Sequence, residues 1–289
     1  MFNGSIVALV TPWKDDQVDF DALEQMIEFQ IANGTQGLLP CGTTGESPAF
    51  SHQEQHEMIR RTVAFAAGRV PVMAGAGSNS TAEAVSLARA AEDAGADGVL
   101  TITPYYNKPN QEGVFQHFKA VREACGLPLV LYNVPGRTGC NLLPETAERV
   151  AELGNVDAVK EASGDIQQSW ELMQRGVRVL SGEDALTFPL MCLGASGVVS
   201  VIANFVPRLV ADLCAAVLAQ DLEEARRLQV SISELTAAAF SDTNPQPAKT
   251  ALAAMGFCRE EFRLPLVPMA DDARSAFLAV LRQHGVLKT

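Results

Sequence analysis

Val156-Asp157-Ala158-Val159-Lys160, followed by Glu161-Ala162-Ser163-Gly164-Asp165, is the stretch that decides the fold. Its first half is an apolar run of strand length, and its second half is a turn of small and polar residues. Comparable runs occur at residues 6–10, 37–40, 70–74, 98–103, 128–132, 177–180 and 197–202. Their spacing is roughly thirty residues for the first six and nearer twenty for the last two, the room that strand–helix units require. The segments between them carry helical periodicity. Phe20, Leu23, Met26, Ile27 and Ile31 form one apolar face, Ala82, Val85, Leu87, Ala88 and Ala91 another, and Asn33-Gly34 and Ala94-Gly95 mark their ends. Successive βα units with Val/Ile/Leu-rich strands and no long insert predict an α/β fold, a (β/α)8 TIM barrel. An open doubly wound sheet is the runner-up, because a succession of strands does not itself show closure.

Beyond residue 219 the strand pattern stops. Residues 222–240 are predicted helical, Ser241-Asp242-Thr243-Asn244-Pro245-Gln246-Pro247 breaks the pattern, and residues 248–255 form a second helix. Leu264-Pro265-Leu266-Val267-Pro268 is a rigid link into a last helix from about residue 271 to 284. The expected division is a barrel carrying the active site over residues 1–222 and a C-terminal α-helical domain over residues 223–289, packed on the barrel or on another subunit.

Composition narrows the function. The 289 residues, 47% hydrophobic and 19% charged, suffice for one barrel-sized domain or two smaller ones. A net charge of −12 argues against nucleic acid or an anionic membrane as partner, and makes each placed Arg or Lys count toward any anionic substrate. Met1-Phe2-Asn3-Gly4-Ser5 has no cationic start and no long apolar stretch, so no signal peptide is expected. The most apolar region, residues 194–219, is broken by Asn204, Pro207, Arg208 and Asp212, so no membrane span is expected. The six cysteines show no CxxC spacing and are expected to be free thiols in a reducing cytoplasm. Cys41 stands beside a Gly-Thr-Thr-Gly turn, yet no histidine is placed as its base, so it is assigned to packing. His52 and His56 lack a third ligand, which favours a solvated helix face over a metal site.

Chemistry in such barrels sits at the C-terminal strand ends. Lys160 ends the run that starts at Val156, where burial would lower its pKa and make it a nucleophile toward carbonyls; the bland reading is a lysine reaching past the strand into solvent. Strand two ends in Gly42-Thr43-Thr44-Gly45-Glu46-Ser47, where small residues and hydroxyls suit an anion, or simply make a tight capped turn. All three tyrosines, Tyr105, Tyr106 and Tyr132, fall at strand ends, and a phenol near a threonine hydroxyl can pass protons to a carbinolamine. Strand period puts Lys160 on the face of Ala158 and Tyr132 on the face of Val130, so both tips can point into the barrel mouth. Arg137, on a Pro-Gly loop, is either a surface residue or a clamp for a carboxylate. Glu183-Asp184, after strand seven, would repel a phosphate where barrels usually bind one.

With these residues in place, the chain resembles the pyruvate-dependent class I aldolase and lyase superfamily. Gly-Thr-Thr-Gly-Glu-Ser, Tyr-Tyr-Asn, Tyr-Asn-Val-Pro-Gly-Arg-Thr-Gly, Val-Lys-Glu-Ala-Ser-Gly-Asp and the Asn244-Pro245-x-Pro247 segment are most similar to its dihydrodipicolinate synthase branch, over essentially the whole chain. The resemblance implies condensation of pyruvate with L-aspartate 4-semialdehyde in the diaminopimelate route to lysine, with no organic cofactor and no catalytic metal. By the same resemblance Lys160 forms the Schiff base, while Thr43, Tyr132 and Tyr106 from the neighbouring subunit relay protons. Thr44 holds the pyruvate carboxylate, Arg137 the carboxylate of the semialdehyde or its cyclised product, and the backbone at Val199 lines the pyruvate pocket. A homotetramer, a dimer of tight dimers, is implied too. Some members are inhibited by lysine, and the matching positions here are Ser47, His52, Asn79, Glu83 and Tyr105. Gln55 stands where some lysine-sensitive members carry histidine, and Pro48 replaces a small residue, which weakens that expectation. A sugar-acid lyase of the N-acetylneuraminate or 2-keto-3-deoxygluconate type shares Lys160, Tyr132 and the turn, and Arg137 is what separates it from the synthase. The intact lysine, tyrosine and threonine set argues against a non-catalytic metabolite-binding barrel, and Glu183-Asp184 disfavours a phosphate-binding barrel enzyme.

Overall fold

Every run of the predicted series becomes a parallel strand, and the strands close on themselves. The computed structural model describes residues 1–288. Its barrel strands are β1 (Gly4–Ala8), β2 (Gly37–Leu39), β3 (Met73–Gly75), β4 (Gly98–Ile102), β5 (Leu129–Asn133), β6 (Val156–Glu161), β7 (Val179–Ser181) and β8 (Gly197–Ser200), with a short antiparallel hairpin of Trp13–Lys14 and Gln17–Val18 outside the barrel. They pair in chain order from β3 to β8, and β8 then pairs with β1 and β1 with β2. The circle closes between β2 and β3, where Leu38 bridges Val72, the Leu38 amide donates to Pro71 O (3.0 Å) and the Gly75 amide donates to Pro40 O (3.0 Å). That closure excludes the open sheet and gives the (β/α)8 barrel.

The strand period sorts the core into two layers. Ile6, Leu39, Met73, Leu100, Val130, Ala158, Leu180 and Val199 fill the barrel interior. Their neighbours Val7, Leu38, Ala74, Val99, Leu131, Val159, Val179 and Val198 face outward against the helices. Phe2 plugs the floor, and a Cβ on Gly98 would lie 2.5 Å from its ring, so that strand must start with glycine.

A helix follows each strand: α1 (Phe20–Ala32), α2 (His52–Ala66), α3 (Thr81–Asp93), α4 (Gln111–Ala124), α5 (Pro144–Ala151), α6 (Ile166–Gln174), α7 (Thr187–Cys192) and α8 (Pro207–Leu218). Their starts are written in the loops. Asp19, Ser80, Asn110 and Asp165 cap α1, α3, α4 and α6 with their side chains, and Ser51 with Glu54 forms a capping box on α2. Three helices complete the chain: α9 (Leu222–Ala239), α10 (Gln246–Ala254) and α11 (Asp271–Gln283). Phe277 of α11 meets Phe205 edge-on at 6.3 Å, which seats the last helix beside the start of α8.

Several ends differ from expectation for local reasons. β1 stops at Ala8 rather than 10, because the Val10 amide turns to the Asn204 side chain (3.1 Å). β3 starts after Pro71, which has no N–H for the ladder. β7 starts at Val179 rather than 177, because the Val177 amide still closes the end of α6 on Leu172 O (3.0 Å). α10 begins at Gln246, ahead of the expected 248, since a proline in a first helical turn gives up no intrahelical hydrogen bond.

Candidate active site

Lys160 and Tyr132 are cross-strand partners on β6 and β5, and both point into the barrel mouth. The Lys160 ammonium lies 4.1 Å from the centre of the Tyr132 ring. Only 6% of Lys160 is exposed, so it does not reach past the strand into solvent. Burial lowers its pKa from 10.5 to about 8, against the opposing pull of Glu183 and Asp184. The same burial raises the Tyr132 phenol to about 12, with the Arg137 charge and the Thr43 hydroxyl pulling the other way. A partly neutral amine beside a fully protonated phenol can attack a carbonyl and be served by a proton donor.

The strands are locked from behind. Glu161, one residue past Lys160 and on the opposite face, is buried and accepts from Asn133 Nδ2 (3.0 Å), Gln168 Nε2 (3.1 Å) and the Ser163 amide (2.7 Å). Asn133 in turn accepts from the Leu142 amide (2.9 Å). The carboxylate thereby ties the ends of β5 and β6 together and holds the register that sets Tyr132 opposite Lys160.

The Gly42–Thr44 turn forms a second wall. The Gly45 amide donates to Gly42 O (3.1 Å) and the Glu46 amide to Thr43 O (3.0 Å), whereas among the described residues the amides of Thr43 and Thr44 find no acceptor. Asn244 Nδ2 donates to the Thr44 hydroxyl (3.0 Å), which leaves the Thr44 O–H free to donate. Two amides and a hydroxyl offered from one turn make an anion cradle. The end of β3 packs so tightly beneath it that a Cβ on Gly75 would lie 2.0 Å from Cys41 O. Cys41 is buried there and desolvation pushes its thiol far above the usual range, which fits packing and not attack.

Arg137 sits in a single helical turn, Pro135–Thr138, directly after β5. Among the described residues the one hydrogen bond of its guanidinium runs to Asn244 O (3.4 Å), so most of its side-chain donors remain available. Val199 lies inside the barrel opposite Ile6. Thr43 and Arg137 line a cavity of about 380 Å³ that extends outward past Ser47, His52, Glu83 and Tyr105. In it His52 Nε2 lies 2.7 Å from Glu83 Oε1, and Ser78 also donates to Glu83. Asn79 is not among the lining residues; its carbonyl accepts from the Asn107 side-chain amide (3.0 Å). Gln55 is committed to β3, donating to Gly75 O (2.8 Å). Tyr106 stands apart, 88% exposed with φ +70°, outside the cavity walls of its own chain.

The two acids after β7 divide their roles. Asp184 is fully enclosed, accepting from the Ser200 hydroxyl and the amides of Val201 (2.9 Å) and Ile202 (3.2 Å), so it braces the end of β8 and does not face a ligand. Glu183 remains half-buried, and burial, then Asp184, raise its pKa while Lys160 opposes. In the sequence Asn244 stands out only as part of a motif, and its hold on Thr44 is visible only in the fold.

The chain matches the model of the dihydrodipicolinate synthetase family over residues 1–284. It belongs to that family. The 4-hydroxy-tetrahydrodipicolinate synthase of Pelobacter propionicus is 51% identical over 290 aligned positions, covering 99% of this chain and all of that one. A crystal structure of a dihydrodipicolinate synthase superposes with a TM-score of 0.97 at 48% identity, covering 99% of this chain and 100% of that chain. The Aquifex aeolicus dihydrodipicolinate synthase superposes with a TM-score of 0.98 at 43% identity over 100% of both chains. Membership in the dihydrodipicolinate synthetase family extends through the C-terminal helices, so α9–α11 belong to the family's common plan.

Proposed function

We infer that this chain condenses pyruvate with L-aspartate 4-semialdehyde to 4-hydroxy-tetrahydrodipicolinate, a lyase of lysine biosynthesis working through an imine on Lys160. The observation that carries the mechanism is a lysine buried in the barrel mouth, with its pKa lowered to about 8 and a phenol at its side. The neutral Lys160 amine attacks the pyruvate ketone, and the carbinolamine loses water as Tyr132 and Thr43 carry protons. Loss of a methyl proton gives an enamine, whose carbon attacks the aldehyde. The substrate's own amine then displaces Lys160 and closes the ring. The amides of Thr43 and Thr44 and the Thr44 hydroxyl hold the pyruvate carboxylate, with Val199 on the floor, and Arg137 takes the carboxylate of the second substrate. Borohydride reduction with pyruvate, followed by peptide mass mapping, tests this; the expected adduct is on Lys160, and an adduct elsewhere or none defeats the mechanism. Turnover of sugar acids instead of the semialdehyde would make the chain a sugar-acid lyase.

Arg137→Ala is expected to leave pyruvate trapping intact and to lower kcat/KM for the semialdehyde by on the order of tenfold to a hundredfold, the worth of a charge-assisted pair. Equal loss of both would make Arg137 structural.

The assembly we propose is a homotetramer of two tight dimers, in which the exposed Tyr106 enters the partner's site. We assign residues 1–222 to the catalytic barrel and residues 223–289 to the helical domain, of which residue 289 lies outside the described residues. A cytoplasmic setting is favoured by six free cysteines, and among the described residues no helix is long and apolar enough to cross a membrane. Ser47, His52, Glu83 and Tyr105 form the outer part of the cavity and would hold lysine there, with Asn79 nearby in sequence. Gln55 also lines the cavity, with its Nε2 held by Gly75 O, and stands where some lysine-sensitive members carry histidine, so inhibition is expected only at millimolar lysine. Initial rates that stay flat across a lysine titration in that range would remove the site.

A further inference from the structure

We propose that the buried Glu46–Lys249 ion pair is a positioning device for pyruvate, through which the C-terminal helices fix the Thr43–Thr44 cradle. This rests on the reading that the cradle holds the pyruvate carboxylate. Lys249, in α10, donates to Glu46 Oε1 at the end of the turn, and both side chains are essentially sealed from solvent (0% and 1% exposed). Glu46 also accepts from Trp13 Nε1 (3.1 Å) and the Arg263 amide (3.3 Å), and Lys249 also donates to Glu261 O (2.8 Å). The Phe262 ring lies 4.6 Å from the ammonium and helps to keep water out.

A buried pair of this kind seldom stabilises a fold more than well-packed apolar side chains of the same volume would, because both charges lose their hydration. Placement is the effect that remains. Glu46 sits at φ +57°, a left-handed conformation uncommon for glutamate that persists only where surrounding contacts impose it. Its amide donates to Thr43 O, so a shift of Glu46 moves the peptide linking the two threonines of the cradle. The same C-terminal segment holds the cradle a second time, through Asn244 and the Thr44 hydroxyl. The segment from Asn244 through α10 therefore grips the turn at Thr44 and at Glu46, while Lys160 is held independently by β6 and the Glu161 network.

The pyruvate concentration needed for half-maximal borohydride trapping on Lys160 reads the cradle directly, and thermal melting reads the fold. Glu46→Gln and Lys249→Met are each expected to raise that concentration about tenfold and to lower the melting temperature. The double variant, Glu46→Gln with Lys249→Met, removes both buried charges. It is expected to regain most of the melting temperature while keeping the raised pyruvate requirement, with kcat at saturating pyruvate much less affected. A double variant that recovers wild-type pyruvate binding along with its stability would overturn the proposal, as would single variants that lose stability alone. A double variant that does not fold would overturn it too, because the pair would then serve the fold itself. If wild-type protein is not trapped on Lys160, it is the imine mechanism that fails; if it is trapped and the variants match it, only the positioning role fails.

Discussion

Lys160→Met is expected to abolish pyruvate trapping, to lower turnover by on the order of a thousandfold or more, and to make the protein more heat-stable near pH 7. The gain in stability follows from the depressed pKa. The folded value is about 8 and the ordinary one 10.5, so between them the unfolded chain binds the proton that the folded chain releases. Stability must then rise with pH across that window. The penalty is present in full below pH 8 and vanishes once pH passes the unfolded value; its size at neutral pH is about 3 kcal/mol. Methionine fills a similar volume without a charge to desolvate, so the variant escapes this cost. For a chain of this length the benefit amounts to a few degrees in melting temperature. Melting curves at pH 7 and pH 10 check the cause: the gap between variant and wild type should shrink at the higher pH. A gap that does not change with pH would mean the gain comes from packing and that the amine is not strained by burial. In the wild type kcat/KM for pyruvate should also climb as pH rises toward 8, because the neutral amine of the free enzyme is the attacking form.

Lys160 also shows which parts of this protein are legible in its sequence. Its inward direction follows from the alternation of Ala158, Val159 and Lys160, a local property of any strand. The same rule places Tyr132, and the turn chemistry of Gly42-Thr43-Thr44-Gly45 is likewise written in neighbouring residues. Closure of the sheet is different, because the Leu38–Val72 bridge joins strands that each look complete alone. Glu183 and Asp184 are equivalent as a sequence pair, and only the fold sends one carboxylate to the Val201 and Ile202 amides and leaves the other near Lys160. Glu46 and Lys249 are 203 positions apart, and no periodicity links them. Positions within one strand or turn are thus readable from composition and spacing, whereas polar contacts between distant elements appear only when the chain is folded. Strand and helix ends miss by a few residues where an outside group takes the amide, as Asn204 does for Val10.

Tyr106 carries the second large effect. Its φ of +70° and 88% exposure are unfavourable for an aromatic residue with no role beyond the surface of its own chain. A partner subunit resolves both features if the strained loop projects the phenol into the neighbour's mouth, beside Tyr132 and Thr43. Tyr106→Phe should then lower turnover by about a hundredfold, within the range for a lost proton relay, and leave Lys160 open to trapping. Complementation separates action across subunits from action within one. When Tyr106→Phe and Lys160→Ala proteins are unfolded, mixed in equal amounts and refolded, random pairing makes half of the tight dimers mixed. Each mixed dimer has one site with an intact Lys160 and the partner subunit's intact Tyr106. Activity should therefore recover to about a quarter of wild type, although neither parent alone exceeds about a hundredth of it. Recovery requires that the two residues of one site come from different chains, since a site built within one chain would stay broken in every combination. Absence of recovery would return Tyr106 to the surface of its own protomer and remove the tight dimer from the mechanism.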